Sequence, residues 1–348
     1  MPIFTADQLH TIAYRILNAA GLRADDADVV AGELKKANLA GHDSHGVIRL
    51  MQYVDYIDQG FAQPAAQVEV VTERPSFAVI DGHFAFGQIA AQRAVELGLE
   101  KTRAQGTATV VIRNCNHVGR LGSYSQQAAQ AGFAAMMAVD APGPGGVAPF
   151  GGIDRRLGTN PISMAVPWGD AQLVLDMTSS ATAEGKLRVA FQKGESVPAG
   201  WIIDAAGHPT TEPADFYADP PGAILPLGGA LGFKGFGLSV MIDMFAGILS
   251  GSGVCRTDLP RGSNGVWMYF LDIAQFVPRD QFDALVDKYV AWIKSSRAMP
   301  GVEEILMPGE IEQNRQAQRE SAGIAVADET WRQLSDLAER VGADLTEI

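Results

Sequence analysis

Apolar residues near the start of the chain recur every three or four positions, which is the period of an amphipathic helix. Residues 9–17 follow this pattern, and residues 5–8 form a capping box at its beginning. A second helical pattern covers residues 29–37 and ends at Gly41. A third helix is predicted over residues 44–57, so the chain is expected to open with three helices.

The pattern changes after Gln67, where short apolar strands alternate with helical stretches. Strands are predicted at residues 68–71, 77–80, 108–112, 134–139, 163–166, 173–175 and 266–273. Helices are predicted at residues 88–104, 123–131, 236–249, 281–294 and 329–341, and a long loop at residues 200–222. This alternation is typical of the α/β class, with residues 67–296 as the sheet domain. Helices at both chain ends predict a discontinuous helical lobe of residues 1–66 with about 297–348.

The composition fits a soluble globular protein of 348 residues, 47% of them hydrophobic and 19% charged. The formal net charge is −13 and no Lys/Arg run occurs, which argues against a nucleic-acid partner. Cys115 and Cys255 are the only cysteines, so a disulfide framework is excluded and the cytoplasm is expected. We expect no secretory signal, and we expect a buried helix rather than a membrane span at residues 235–254, which contain Asp243 and five glycines.

Several common catalytic and nucleotide-binding motifs are missing. The nearest candidate for a G-x-G-x-x-G motif is followed by Pro149, which prevents the helix that a Rossmann fingerprint requires. A G-x-x-x-x-G-K-S/T phosphate loop, a G-x-S-x-G nucleophile motif and a Tyr-x-x-x-Lys pair are also absent. The Gly- and Pro-rich tract at residues 141–152 is either a linker or, because it follows an apolar strand inside a domain, the lining of a ligand site.

The segment from His42 to Arg49 is the first group of residues with catalytic potential. If Ser44 caps the third helix, His45 and Arg49 lie one turn apart at a helix N-terminus. Arg49 is suited to bind a carboxylate, and His45 to transfer a proton, with Ser44 or a carboxylate fixing its tautomer. Two alternatives are open: Ser44 is only a cap, with Asp43 complementing the helix dipole, or His42, Asp43 and His45 bind a metal ion.

Residues 113–122 form the second group, between the end of a strand and the start of a helix. Gly119 and Gly122 allow the backbone to approach a ligand closely, and the helix N-terminus suits a phosphate. His117 lies between these features. It either faces a ligand at the strand end or is a hydrogen-bonded structural residue.

Other turns carry weaker signals for ligand binding. Residues 158–161 and 175–180 both follow strand-like segments and can reach one crevice, although each also fits an ordinary Asx-type turn. Residues 228–235 place Lys234 in a glycine-rich turn before a helix, which suits a phosphate or serves only as a hinge. Residues 308–310 alone indicate a plain turn.

Six short motifs occur in one order along almost the whole chain. They are SHGVIR (44–49), NHVG (116–119), GTNP (158–161), LDMTSS (175–180), FKG (233–235) and MPGE (307–310). With these motifs the chain resembles the malate/L-lactate dehydrogenase family that lacks the Rossmann fold. That family includes ureidoglycolate, sulfolactate and diketogulonate dehydrogenases and piperideine/pyrroline-2-carboxylate reductases. The resemblance implies hydride transfer between NAD or NADP and a small 2-hydroxy or 2-oxo acid, a non-Rossmann nucleotide-binding and catalytic α/β domain, and a homodimer.

The resemblance also implies roles for individual residues. It implies His45 as the catalytic acid/base in relay with Ser44, or His117 in its place. The substrate ligands that it implies are Arg49, Thr159, Asn160, Glu184, Gly185 and Lys186. The dinucleotide ligands that it implies are His117, Val118, Gly119, Arg120, Leu121, Asp176, Met177, Thr178, Lys234, Pro308, Gly309 and Glu310. No metal ion is expected.

Residues 183–186, Ala-Glu-Gly-Lys, bear on the substrate class. In the resembled imine reductases an Asp stands at the position of Lys186, so Lys186 favours a 2-oxo acid over a cyclic or N-alkyl imine. Glu184 would repel a substrate carboxylate unless the substrate has a cationic or hydroxylated tail. A ligand-binding sensor on the same fold is the non-enzymatic alternative, and the joint presence of two histidines and Arg49 argues against it.

Overall fold

The computed structural model describes residues 1–256 and 263–346. Its strands are β1 (Ile3–Phe4), β2 (Glu69–Arg74), β3 (Phe77–Asp81), β4 (Thr107–Cys115), β5 (Ala134–Asp140), β6 (Pro161–Trp168), β7 (Ala171–Thr178), β8 (Ile202–Ile203), β9 (Pro209–Thr210), β10 (Ala223–Ile224), β11 (Asn264–Leu271) and β12 (Ile324–Ala325). Its α-helices are α1 (Ala6–Ala19), α2 (Ala24–Leu39), α3 (Arg49–Asp58), α4 (Gly87–Gln105), α5 (Gly122–Gln130), α6 (Glu184–Lys193), α7 (Pro213–Tyr217), α8 (Phe233–Ile242), α9 (Arg279–Lys294), α10 (Glu310–Ala322) and α11 (Asp328–Val341). A π-helix, Asp243–Ile248, continues directly from α8.

Seven strands form a mixed sheet in the order β2-β3-β4-β11-β5-β6-β7. Only β3 and β4 run parallel, and every other neighbouring pair in this sheet is antiparallel. Along β11 the alternate residues Val266, Met268 and Phe270 are completely buried and belong to the core that α4 covers. The α/β prediction is confirmed. The rule that ligands bind at the carboxyl ends of parallel strands, however, applies here to one strand pair only.

The two chain ends share a separate hydrophobic core. It is formed by α1, α2, α3 and α11, and the short strands β1 and β12 pair antiparallel and join the ends. Leu9 and Ile12 are completely buried, as the helical pattern predicts. The predicted capping box is present, because Thr5 Oγ1 accepts a hydrogen bond from the backbone N–H of Gln8 at 3.1 Å. The lobe boundary near residue 297 stays a prediction.

Two predictions for the second half of the chain are wrong. Residues 200–222 are not one long loop, because β8, β9 and the helix α7 lie in this range, and β8 pairs with both β9 and β10 in a small sheet. The prediction of a wholly buried helix at residues 236–249 is wrong, because only one face is buried: Ile242 and Ala246 belong to a core cluster, whereas Met241, Phe245 and Ile248 are exposed by 51%, 42% and 54%. An apolar pattern identifies a helix, but it does not tell which face lacks a neighbour in the same chain. Among the described residues, no helix is long and apolar enough to cross a membrane.

The contact between α4 and β11 depends on Gly98. A Cβ atom at this position would lie 2.3 Å from the ring of Phe270, far inside van der Waals contact. We expect Gly98→Ala to lower the free energy of unfolding by about 1–3 kcal/mol, because overpacking outweighs the gain in helix propensity. Urea denaturation measures this change.

Gly32→Ala, in the middle of α2, is the matched control. A Cβ atom at Gly32 would meet no other atom within 4 Å. This substitution should therefore raise the free energy of unfolding by about 0.5–1 kcal/mol. Equal stability of the two variants would contradict the close packing of α4 on β11.

Candidate active site

The segment between α2 and α3 carries the predicted catalytic and carboxylate-binding residues, but not on one helix. Asp43–His45 is a 3-10 turn, and α3 begins only at Arg49. Gly46 has an extended backbone between them, and a Cβ atom there would lie 2.2 Å from the side chain of Asn38. The prediction that Ser44 caps the third helix is therefore wrong, because packing against Asn38 in α2 shapes this turn.

Arg49 is held across the turn by two hydrogen bonds. Its Nε donates to the carbonyl oxygen of Ser44 at 2.6 Å, and its Nη1 donates to Gln52 at 2.5 Å. A guanidinium has five N–H groups, and the described residues provide no acceptor for the others. Arg49 is therefore fixed in place with donors available for a carboxylate.

Two histidines from distant parts of the chain meet beside this turn. His117 follows β4 and stacks on His45, with ring centroids 5.4 Å apart and an angle of 25° between the planes. Nδ1 of His45 lies 3.1 Å from the hydroxyl of Ser44, and Nδ1 of His117 lies 2.8 Å from the hydroxyl of Tyr53. The structure thus brings both acid/base candidates into one site.

Tyr53 has no place among the sequence-predicted site residues, because its position on the buried face of α3 is typical of a core aromatic. Gln88 Nε2 donates to the Tyr53 hydroxyl oxygen at 2.7 Å. The hydroxyl hydrogen of Tyr53 is then left to donate to Nδ1 of His117. We therefore assign His117 the Nε2–H tautomer, which makes its other ring nitrogen a donor.

Burial keeps both imidazoles neutral. Loss of hydration, followed by the positive charge of Arg49, lowers the pKa of His45 to about 3. The same two causes lower the pKa of His117 well below its usual value. A neutral imidazole can accept a proton. Because a bound carboxylate offsets the Arg49 charge, substrate binding should raise the pKa of both histidines.

The first turn of α6 lies against the Asp43–His45 turn, which carries the predicted catalytic residues and is called the catalytic turn below. A Cβ atom at Gly185 would lie 3.3 Å from Cβ of Ser44. The carboxylate of Glu184 is paired with Arg188 at 2.8 Å and accepts a hydrogen bond from Tyr217 at 3.0 Å. This pairing offsets the charge of Glu184, so the repulsion expected between Glu184 and a substrate carboxylate is reduced.

The other three predicted substrate ligands have different surroundings. Thr159 is partly buried. Asn160 is 1% exposed and its side-chain amide donates to Asp243 at 2.6 Å, so the amide nitrogen faces the protein interior. Nζ of Lys186 lies 6.0 Å from the ring centroid of Trp201. Their contacts with a substrate stay predictions.

A narrow crevice separates α10 from the sheet, and its lining suits part of a dinucleotide. Arg120, Val174, Gly309 and Glu312 contribute to this lining. Arg120 is 7% exposed, and its Nε has no hydrogen-bond partner among the described residues, although an oxygen of Asp176 lies 3.3 Å away. A buried guanidinium nitrogen without an acceptor fits an anionic or hydroxyl-bearing ligand such as a phosphate or a ribose.

The turn before α10 is fixed on β7. The carbonyl oxygen of Pro308 accepts a hydrogen bond from the backbone N–H of Val174 at 2.9 Å. Gly309 has φ +96°, and a Cβ atom there would lie 3.1 Å from the Val174 backbone, so this position suits only glycine. The carboxylate of Glu310 accepts a hydrogen bond from Lys294 at 2.7 Å, which occupies it within the protein.

The remaining predicted dinucleotide ligands are spread over several elements. Val118 and Leu121 are 2% and 3% exposed, and the backbone N–H and carbonyl of Val118 are bonded to Asn264 and Tyr124, so a contact of either residue with a dinucleotide stays a prediction. Met177 and Thr178, at the end of β7, are partly buried, whereas Lys234 is exposed at the start of α8. Within the described part of the chain Lys234 makes no hydrogen bond or ion pair with a residue of the crevice, and a phosphate-binding role for Lys234 stays a prediction.

The alternative metal site in the catalytic turn does not match the geometry. Nε2 of His42 lies 3.3 Å from Glu312, and Asp43 pairs with Arg319 at 2.6 Å. Within residues 1–256 and 263–346, no group of three His, Cys, Asp or Glu side chains is placed to hold a metal ion. The two contacts instead tie the turn to α10.

Comparison with known sequences identifies relatives of this chain. Residues 4–335 match the family model described as malate/L-lactate dehydrogenase. The chain is 37% identical to a malate dehydrogenase of Pyrococcus horikoshii, over 97% of this chain and 95% of that protein. It is 36% identical to hydroxycarboxylate dehydrogenase B of Escherichia coli (strain K12), over 97% of this chain and 94% of that protein.

Solved structures of related proteins superpose closely on this chain. Malate dehydrogenase from Pyrococcus horikoshii superposes with a TM-score of 0.88 at 35% identity, covering 99% of this chain and 96% of that chain. A delta1-piperideine-2-carboxylate reductase from Pseudomonas syringae gives a TM-score of 0.84 at 27% identity, covering 97% of this chain and 100% of that chain. The same fold therefore occurs in hydroxy acid dehydrogenases and in an imine reductase.

The hydrogen bond from Gln88 to Tyr53 should stabilise the site. Gln88 is completely buried, so Tyr53→Phe leaves its Nε2 without an acceptor. We expect this substitution to lower the free energy of unfolding by about 1–3 kcal/mol in urea denaturation. Combining it with Gln88→Leu should recover part of the loss, because both polar partners are then removed.

Tyr14→Phe, on the partly buried side of α1, is the control. It should change the free energy of unfolding by less than about 0.5 kcal/mol. If Tyr53→Phe proves as stable as Tyr14→Phe, Gln88 does not depend on the Tyr53 hydroxyl and the tautomer assigned to His117 loses its basis.

Proposed function

The chain belongs to the malate/L-lactate dehydrogenase family, and we propose that it transfers a hydride between NAD(P) and C2 of a small 2-hydroxy or 2-oxo acid. The position of Arg49 beside two buried, neutral imidazoles is the observation that carries this proposal. A fork of donors for a carboxylate and a proton acceptor next to it are the groups that this reaction needs from the protein. The crevice at Arg120 supports a dinucleotide site.

The residues of the catalytic turn have separate tasks in the oxidation of a hydroxy acid. Arg49 binds the carboxylate through two parallel hydrogen bonds and thereby orients C2. Nε2 of His45 takes the proton of the substrate hydroxyl, while its Nδ1–H donates to Ser44. When the dinucleotide is bound, its nicotinamide supplies the hydride acceptor. Proton transfer by a placed imidazole contributes about 10²–10⁴-fold to the rate.

His117 supports the same step as a hydrogen-bond donor. Its Nδ1 accepts from Tyr53, so its Nε2 carries the ring hydrogen and has no lone pair with which to take the proton of the substrate. In this form His117 donates to the substrate oxygen, and His45 is the acid/base. In the reverse reaction protonated His45 returns the proton to the oxygen at C2.

The start of α6 supports an oxo acid rather than an imine as the substrate. Lys186 lies in the same helical turn as Gly185, which lies against Ser44, and the charge of Glu184 is offset by Arg188. The charge of Lys186, whose Nζ has no carboxylate partner among the described residues, and the N-terminus of α6 together attract anions. We propose a small acid of the kind named for the relatives, which include malate, lactate and sulfolactate dehydrogenases.

The dinucleotide would be held along the crevice beside α10. Arg120 offers a buried N–H without a well-formed hydrogen bond, and its ion-pair partner Asp176 would accept a hydrogen bond from a ribose hydroxyl. Gly309 brings the backbone of the turn close to β7, and Lys234 offers a positive charge at the start of α8. Both NAD and NADP are candidates for this site.

An exposed apolar face formed by α8, the turn before it and the π-helix after it supports a homodimer. The face consists of Leu231, Phe233, Met241, Met244, Phe245, Ile248 and Leu249, whose exposures lie between 42% and 58%. Seven exposed apolar side chains next to one another are typical of a protein–protein contact, and we propose a second copy of this chain as the partner. The free cysteines Cys115 and Cys255 fit a reducing compartment, the cytoplasm.

A substrate panel tests the proposed reaction. The protein is assayed with NAD and NADP against malate, lactate and sulfolactate, and with NADH and NADPH against the corresponding oxo acids and a cyclic imine. We expect a change in nicotinamide absorbance with at least one hydroxy acid or oxo acid. Turnover of the imine alone would favour the reductase alternative, and no turnover with any compound would favour a sensor.

Separate substitutions test the roles of the two histidines. His45→Asn should lower kcat by about 10²-fold or more and leave the Kd of the dinucleotide unchanged, because only proton transfer is lost. His117→Asn should cost less in kcat, because a donor of a hydrogen bond is lost but the base remains. Arg49→Lys is the matched probe of substrate binding and should raise KM, because lysine lacks the bidentate fork.

The reverse pattern would show that the histidine roles are exchanged. In that case His117→Asn abolishes turnover at normal dinucleotide affinity, while His45→Asn keeps most of its kcat. Unchanged KM in Arg49→Lys would remove Arg49 from the site.

A further inference from the structure

A second pair of ionisable groups lies outside the catalytic turn and has no part in the steps described above. Asp140 ends β5 and is 0% exposed, and Asp243 begins the π-helix and is 6% exposed. No described N–H or O–H group donates a hydrogen bond of ordinary geometry to either carboxylate oxygen of Asp140, although the backbone N–H of Ala141 and the carboxyl group of Asp243 lie close to them. The two carboxyl groups lie within hydrogen-bonding reach of each other, and this bond forms only when one of them carries a proton.

The packing around the pair favours the protonated state. A Cβ atom at Gly247 would lie 2.7 Å from Oδ2 of Asp140, so the π-helix backbone is close to this carboxyl group. Burial, followed by the charge of Asp243, raises the pKa of Asp140 to about 8. Burial also raises the pKa of Asp243. At neutral pH the folded protein therefore keeps one proton on the pair.

Other groups face the pair from the neighbouring elements. Asn264, the first residue of β11, donates from Nδ2 to the carbonyl oxygen of Asp140 at 3.1 Å. The backbone N–H of Ala141 lowers the pKa of Asp140 and partly offsets burial. The thiol of Cys255 also lies nearby, and burial together with the two carboxyl groups raises its pKa to about 12. The thiol therefore stays protonated where the pair titrates.

Asp243 also anchors the turn that carries Thr159. Nδ2 of Asn160 donates to Asp243 at 2.6 Å and to the carbonyl oxygen of Ser239 at 3.1 Å. Asn160 has φ +40°, a conformation that a non-glycine residue adopts only when its surroundings hold it. On the other side, the carbonyl oxygen of Thr159 accepts from the backbone N–H of Ser179 at 3.0 Å. The turn is thus held from both sides.

We propose that Asp140 and Asp243 are positioning residues, which share one proton and keep the Thr159–Asn160 turn in the conformation that binds substrate. When the pair loses this proton, two like charges are buried side by side and repel each other. The repulsion displaces Asp243 from Asn160 and loosens the turn. The effect on substrate binding rests on the proposed function, because it requires that Thr159 contacts the substrate. The shared proton is independent of that function.

Thermal unfolding tests the shared proton without any substrate. Asp140 has a pKa of about 8 in the folded protein against an ordinary value of 3.8, so folding takes up a proton between these values. A rise in pH through this range destabilises the wild type. The same rise in pH should destabilise Asp140→Asn less, because the amide of the substituted side chain donates the hydrogen bond to Asp243 and does not titrate. The difference in Tm between Asp140→Asn and the wild type should therefore widen from pH 5 to pH 8 and then level off. A constant difference over this range would overturn the proposal.

Steady-state kinetics test the effect on the turn. Above pH 8, kcat/KM of the wild type should fall by about tenfold per pH unit relative to Asp140→Asn, chiefly through KM. Asp243→Asn should behave like Asp140→Asn, since either amide supplies the missing hydrogen, and it keeps the test decisive if one variant fails to fold. Asp81→Asn is the control: this carboxylate is bound by Arg113 and lies on β3, which β4 and β11 separate from β5, so its alkaline profile should match the wild type.

An equal loss of kcat/KM above pH 8 in the wild type and in Asp140→Asn would overturn the positioning role. If no hydroxy acid is turned over at any pH, the proposed function fails, and the Tm comparison still decides on the shared proton. The whole proposal is supported if the Tm difference between Asp140→Asn and the wild type widens up to pH 8 and the alkaline loss of kcat/KM is confined to the wild type.

Discussion

The guanidinium of Arg49 lies close to two imidazoles that the fold has removed from water, and the chemistry of the cleft depends on this arrangement. Burial and the Arg49 charge act in the same direction on His45 and lower its pKa to about 3. Both imidazoles are therefore neutral, and an anion bound at Arg49 would offset the second of these two causes. We propose that Arg49 has two effects: it binds the substrate carboxylate, and the bound charge removes part of the pKa depression of His45, the proposed acid/base.

The helix α10 connects this arrangement to the crevice in which we propose that the dinucleotide binds. It begins beside Gly309, which packs on β7; its Glu312 lies 3.3 Å from His42; and its Arg319 pairs with Asp43 at 2.6 Å. One rigid helix therefore contacts both the crevice turn and the catalytic turn. Arg120 adds an electrostatic connection, because its charge in the crevice also lowers the pKa of His45. Ligands in the crevice and in the catalytic turn should consequently influence each other's binding.

Features set by local sequence could be predicted, and features set by contacts between distant segments could not. Helix α1 and strand β11 follow from periodicity alone, and the motifs indicate which turns surround the cleft. The helix start at Ser44 was wrong because Asn38, from the preceding helix, packs against the turn. Tyr53 looks like a core residue until His117 is placed beside it. The contact of Asp140 with Asp243 has no sequence signal, because it arises only where the end of β5 meets the π-helix.

Nitrogen-15 NMR of the histidine side chains tests the central interaction most directly, with His45→Asn and His117→Asn used to assign the signals. In the free protein at pH 5, the spectra should show His45 and His117 as neutral rings, with the hydrogen of His117 on Nε2. Addition of oxamate together with the reduced dinucleotide should shift His45 toward the imidazolium form, because the carboxylate offsets the Arg49 charge. Two rings that are already charged at pH 5 in the free protein, or a His45 signal that does not respond to oxamate, would contradict the coupling between Arg49 and the catalytic histidines.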